Sequence, residues 1–161
     1  MYSSPPWTIP TIESNISLLN YRKGKSNASK LKSLVPELEE TFPNHIHKCT
    51  DGSRTPNGSE YAVNGSIPNN SNKLHPKTPI LHCELISIKH AVHLTSIDQT
   101  KNYTSYCDSI NADSSFQNLW TNDPLIQECK ELYIKPTNRK NTVTVTLISA
   151  YIGNILNERS D

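Results

Sequence analysis

Apolar and polar positions alternate most regularly between Thr142 and Ile148, where Thr142, Thr144 and Thr146 interleave with Val143, Val145 and Leu147. A two-residue period sends successive side chains to opposite faces, so this stretch reads as a half-buried strand. A different period runs through Cys83 to Leu94, where Leu85, Ile88 and Val92 recur at three- and four-residue steps. That spacing predicts an amphipathic helix. His45 to Asp51 reads as a short strand closing on Gly52-Ser53. Asn57-Gly58 then marks a hairpin turn, with the return strand through Tyr61-Ala62-Val63. Asn64 to Asn72 reads as a polar turn, and a third short strand falls around Lys73 to Thr78. Pro76 confines that strand to a sheet edge, because proline has no N–H for the ladder. Tyr103 to Cys107 is strand-like again, ending at Asp108-Ser109. Ala112 to Trp120 and Asp123 to Tyr133 read as short helices, the second opened by Asp123 as cap and Pro124 at the first position. The order of elements predicts an α/β (α+β) fold, a mixed sheet with helices packed on it.

Residues 1–43 follow neither period. They are rich in Pro, Ser and Lys, and their one amphipathic candidate, Ser29 to Glu40, is broken by Pro36. This segment reads as a largely irregular tether with at most broken helical turns, and residues 44–161 as the folded domain. Composition agrees. The 161 residues suit one domain, but only 34% are hydrophobic and Pro (11) outnumbers Gly (5). Mean hydropathy is -0.58. No apolar run approaches the roughly 20 residues that span a bilayer. Met1 to Pro10 has neither a basic start nor an apolar stretch, so no signal peptide and an intracellular setting, cytoplasmic or nuclear, are expected. A net charge of +1 neither favours nor opposes a nucleic-acid partner.

Candidate chemistry narrows the picture further. The cysteines, Cys49, Cys83, Cys107 and Cys129, are widely separated, whereas zinc sites gather ligands in close pairs. Reduced, partly buried thiols are expected instead. The N-x-S/T sequons at Asn15, Asn27, Asn57, Asn64, Asn69 and Asn102 arise by chance in a chain this rich in Asn and Ser. Histidines His45, His47, His82, His90 and His93 lack the carboxylate–histidine spacing of a transition-metal site. No G-x-S-x-G elbow supports a serine hydrolase. The basic runs Arg22-Lys23-Gly24-Lys25 and Arg139-Lys140 read as solvated loops.

The acids are more telling. Asp51 ends the first strand of the domain, Glu84 opens the first helix, Asp108 ends a later strand, and Asp161 follows the last strand. Ligands of open α/β sheets bind at such strand ends. Carboxylates converging there repel one another unless a hard divalent cation neutralises them. The chemistry suited to that arrangement is two-metal hydrolysis of a phosphodiester.

Four segments together resemble the ribonuclease H domains of non-LTR (LINE-like) retrotransposon polyproteins. They are Thr50-Asp51-Gly52-Ser53 with Asn57-Gly58, Thr78-Pro79-Ile80-Leu81-His82-Cys83-Glu84-Leu85, Asp108-Ser109, and Asn157-Glu158-Arg159-Ser160-Asp161. The likeness covers about residues 44–161, in order. It implies a five-stranded mixed sheet with an antiparallel second strand, flanked by helices. It also implies that Asp51, Glu84, Asp108 and Asp161 hold two Mg²⁺ or Mn²⁺ ions. The activity implied is hydrolysis of the RNA strand of an RNA–DNA hybrid, with Gly52, Ser53 and Asn57 as candidate substrate contacts. A reverse transcriptase portion of a longer polyprotein would accompany it. The chain departs from the family pattern at Glu60 and Leu156, where Gly is usual, and at Tyr151, where a loop histidine is usual. It also stops at Asp161, the residue that should open a final helix, and so reads as truncated at its C-terminus. Intact acids favour the nuclease; the departures favour a catalytically silent nucleic-acid-binding remnant of a mobile element.

Overall fold

The structure, a computed structural model, describes residues 14–15, 33, 36–37, 39–65, 70–97, 102–137 and 143–147. Strand β1 is Ser14–Asn15, β2 His45–Thr55, β3 Gly58–Gly65, β4 Asn70–Leu74, β5 Asn102–Cys107 and β6 Val143–Leu147. Helices α1, α2 and α3 span Ile80–Ile97, Ile110–Gln117 and Pro124–Thr137. The six strands form one sheet in the order β1-β6-β5-β2-β3-β4. The mixed sheet flanked by helices is the architecture expected, and β3, second strand of the domain, is antiparallel to both neighbours. Among the described residues the sheet has one strand more than the five expected. The addition is β1, a two-residue strand parallel to β6, supplied by the segment read as a tether. In that segment Ser33, Pro36, Glu37 and residues 39–41 are helical, and Thr41 Oγ1 donates to the Glu37 carbonyl at 2.8 Å.

Local differences have local causes. The hairpin loop is Pro56-Asn57, one residue earlier than the Asn-Gly pair suggested, because Thr55 pairs directly with Gly58. Proline's fixed φ suits the second position of a tight turn, and that preference prevails here. Pairing with β2 also carries β3 through Gly65 and absorbs the start of the expected polar turn. β4 lies at the sheet edge, as Pro76 implied, but it ends at Leu74, before the proline. Helix α1 starts three residues earlier than the apolar period showed. The Pro79 carbonyl takes a backbone bond from Cys83 N at 3.0 Å, so the helix begins directly after the proline.

The apolar stripe of α1 lies where its spacing requires. Leu85, Ile88 and Val92 are buried with Cys107, Phe116, Ile126, Cys129 and Tyr133 in the core between the sheet and the helices. Burying each of those three aliphatic side chains contributes about 1.5–3 kcal/mol. Ser109 caps α2 by accepting from Ala112 N, and Asp123 Oδ1 accepts from Leu125 N at the start of α3. All four cysteines are buried free thiols, and burial pushes Cys49, Cys107 and Cys129 up to about 12. Among the described residues, no helix is long and apolar enough to cross a membrane.

Candidate metal centre

Parallel pairing brings two of the acids together. β2 and β5 run in register from His45 opposite Asn102 to Thr50 opposite Cys107. The next residues are Asp51 and Asp108, on adjacent strands whose backbones lie about 4.8 Å apart. Asp51 is not the end of β2, which continues to Thr55 in its pairing with β3. It marks the point where β2 loses its parallel neighbour, and there the sheet opens.

Glu84 reaches the same place from α1. It lies in the second turn of the helix rather than the first, since α1 starts at Ile80. Its position depends on Gly52, which is buried beneath it. A Cβ on Gly52 would lie 2.4 Å from Glu84 N, 2.6 Å from the Cys83 carbonyl carbon and 2.9 Å from Cys83 Cβ. Only glycine lets the helix backbone approach the strand this closely. Ser59 ties the helix entry down from β3, its Oγ lying 3.2 Å from the Pro76 carbonyl and 3.1 Å from that of Thr78.

One carboxylate oxygen from each of Asp51, Glu84 and Asp108 falls within 4.8 Å of the others. Glu84 is buried (7% exposed), and its Oε2 has no hydrogen-bond partner. Burial first, then the charges of Asp108 and Asp51, push its carboxyl up to about 8, against a slight opposing pull from the Gly52 backbone. Asp51 is raised by burial and then by Glu60, and Asp108 by burial and then by Asp51. A buried carboxylate oxygen without a donor, beside two further acids, is a poor resting place for negative charge alone. Hard oxygen donors of this kind fit a hard divalent cation such as Mg²⁺ or Mn²⁺.

This electrostatic strain has a measurable consequence. Between 4.5, the ordinary Glu84 value, and about 8, the folded chain holds a proton that the unfolded chain has released. Stability therefore falls as pH rises through that window. His47 and His90 are lowered, mainly by burial, and act oppositely around 6.5. In EDTA, the melting temperature is expected to fall between about pH 7 and pH 8, above the histidine range and below the thiol range. Millimolar Mg²⁺ should abolish that fall. A flat or rising metal-free profile would contradict the assignment of the strain to Glu84.

The remaining candidates are placed differently. Ser53 is half-buried on β2, and its Oγ donates to Glu60 Oε1 at 3.2 Å. Asn57 lies at the exposed hairpin tip, six residues and about 20 Å of strand from Asp51. Gly52 is occupied in packing α1. Asp161, Tyr151 and Leu156 lie outside the described residues, as do both basic runs. The histidines bond to neighbouring side chains: His45 Nδ1 to Thr104 Oγ1 at 2.8 Å, His47 Nδ1 to Tyr106 OH at 2.7 Å and His90 Nδ1 to Tyr61 OH at 2.8 Å. His82 Nε2 pairs with Asp123 Oδ2 at 3.0 Å, joining the starts of α1 and α3.

The sheet order, the crossover helices and the acids at the open end of β2 and β5 define a ribonuclease H-like fold. Solved structures agree. An RNase H1 from the halophilic archaeon Halobacterium salinarum NRC-1 superposes with a TM-score of 0.53 at 11% identity, covering 71% of this chain and 92% of that one. LC11-RNase H1, isolated from compost by a metagenomic approach, gives 0.56 at 16% identity over 71% and 91%. No protein-family model and no curated protein matches the chain.

Proposed function

We propose that the chain is a metal-dependent nuclease of ribonuclease H type, cutting the RNA strand of RNA–DNA hybrids. The observation that carries this is the triad Asp51, Glu84 and Asp108, with its orphaned Glu84 oxygen, at the open end of a ribonuclease H-like sheet. Asp51 and Asp108 would grip a divalent cation from adjacent strands and Glu84 would hold it from the helix. Asp161 is the candidate for completing a second site. The bound ions would supply an activated water and stabilise the leaving oxygen. The protein's own contribution is to fix the three carboxylates before substrate arrives, Gly52 setting the height of Glu84 above the strand. The hybrid's 2′-hydroxyls would distinguish it from duplex DNA. Origin in a LINE-like retrotransposon and a reverse transcriptase partner in a longer polyprotein go with the sequence motifs, and an intracellular setting is proposed with them.

A second reading, a silent remnant that binds hybrid without cutting it, is favoured by the departures from the family pattern, above all Tyr151 at the position of the loop histidine. A phenol with an unperturbed pKa near 10 does not exchange protons at neutral pH as an imidazole with one near 6.5 does. General acid–base help is worth about 10²–10⁴-fold, so its loss slows turnover without ending it. Incubation with labelled hybrid, duplex DNA and single-stranded RNA decides between the readings. Weak, metal-dependent cleavage of the hybrid alone is expected, stronger with Mn²⁺ and faster in Tyr151→His. Binding without cleavage in both proteins would leave the silent reading.

A further inference from the structure

Helix α1 carries a second polar centre at His90, about 9 Å of helix rise beyond Glu84. Its ring meets side chains of β3 and β4. His90 Nδ1 lies 2.8 Å from Tyr61 OH, and Nε2 lies 3.1 Å from Asn70 Nδ2. Asn72 Nδ2 donates to Asn70 Oδ1 at 2.8 Å and to Tyr61 OH at 3.2 Å. The sheet register allows this, since Asn72 faces Tyr61 across the β3–β4 ladder and Asn70, two residues back, shares its face.

Those contacts fix where each hydrogen goes. Asn70 Oδ1 accepts from Asn72, so the atom it turns to the ring is the amide nitrogen, which only donates. His90 Nε2 is therefore an acceptor. Burial, then His93 and Lys48, hold the ring below the usual histidine value, so near neutral pH it carries one hydrogen, on Nδ1. That hydrogen goes to Tyr61 OH. The Tyr61 oxygen thus accepts two bonds, and its own hydrogen is used by neither partner. Turning both amides over is worse, because His90 Nδ1 and Asn72 Oδ1 would then compete for the single hydroxyl hydrogen.

Tyr61 and His90 line a cavity of about 620 Å³, open to solvent, with Ile86 of α1 and Leu125 and Leu132 of α3 among its apolar walls. A cavity of this size suits a small molecule. The two bonds that Tyr61 accepts polarise its hydroxyl and strengthen it as a donor. Charge favours an anionic acceptor: Lys89 is balanced by its ion pair with Glu128, whereas the positive charge of Lys48 is felt at His90. We propose that this cavity is a second binding site, taking a small, largely apolar carboxylic acid whose carboxylate accepts from Tyr61 OH while its ring packs on Ile86, Leu125 and Leu132. The site does not depend on the metal reading of the triad.

The test titrates naphthoate and naphthylmethylammonium, alike in ring and size, into the full chain near neutral pH, followed by nuclear magnetic resonance. Naphthoate is expected to shift the His90 ring and Ile86 methyl signals and to bind at least about tenfold more tightly than the ammonium, the scale of one hydrogen bond to a charged group. Tyr61→Phe keeps the ring and removes the hydroxyl, so it should bind the two probes alike, a dispersed spectrum showing that it folds. The native chain decides even where that variant does not fold. No shift at millimolar naphthoate, equal affinity for the two probes, or shifts only away from His90 and Ile86 would overturn the site. So would a preference for naphthoate that survives in Tyr61→Phe.

Discussion

Asp51→Asn and Asp108→Asn, introduced together, are expected to cut hybrid cleavage by at least about 10³-fold, some 4 kcal/mol of transition-state stabilisation. They should also remove the rise in melting temperature that millimolar Mg²⁺ or Mn²⁺ gives the native chain, since that rise comes from ions binding the folded state alone. A third effect has the opposite sign. Without metal near pH 8, the double variant should melt higher than the native chain. Two half-buried charges that repel Glu84 and each other have been replaced by neutral amides of the same shape. A merely structural pair of aspartates would give a lower metal-free melting temperature, because their loss would remove bonds rather than repulsion. Differential scanning fluorimetry with EDTA and with Mg²⁺, beside a cleavage assay, reads all three. A metal response that survives in the double variant refutes the site.

The parts of this fold legible in the sequence are those with a strong period or a local stop. Thr142–Ile148 alternates, and within it Val143–Leu147 is β6; Leu85, Ile88 and Val92 repeat at helical spacing and are the buried stripe of α1. Asp51, Glu84 and Asp108 could be singled out because the sequence reads each as a strand end or a helix opening; only Asp108 adjoins such a boundary, yet the fold brings all three together. Less legible was anything decided by partners across the sheet. β2 runs past Asp51 to Thr55 because β3 continues to pair with it, and no feature of the strand itself announces that. Strand β1 is two residues in a Pro- and Ser-rich stretch, too short to carry a period of its own. Glu60 was visible only as a departure from the family pattern. Its nearness to Asp51 follows from register, which a single sequence does not display.

Gly52→Ala is expected to be the most damaging single-methyl change near the site. The new Cβ would lie 2.4 Å from Glu84 N and 2.6 Å from the Cys83 carbonyl carbon, both backbone atoms of a helix that cannot swing aside like a flexible side chain. Relief requires α1 to lift from β2, and α1 carries Leu85, Ile88 and Val92 into the core, so the shift would propagate into packed contacts. Overpacking of this kind costs typically 1–3 kcal/mol and sometimes more; with backbone on both sides, about 3 kcal/mol is expected, or roughly 10 °C in melting temperature. The same shift would move the Glu84 carboxylate away from Asp51 and Asp108, so Mn²⁺ affinity should fall along with stability. Ser53→Ala, one residue on, removes a hydrogen bond to the exposed Glu60 and should cost less than about 1 kcal/mol. Urea unfolding and Mn²⁺ titration of the two variants test the claim together. If Gly52→Ala loses no more stability than Ser53→Ala and binds Mn²⁺ as tightly as the native chain, then the closeness of α1 to β2 does not set the height of Glu84.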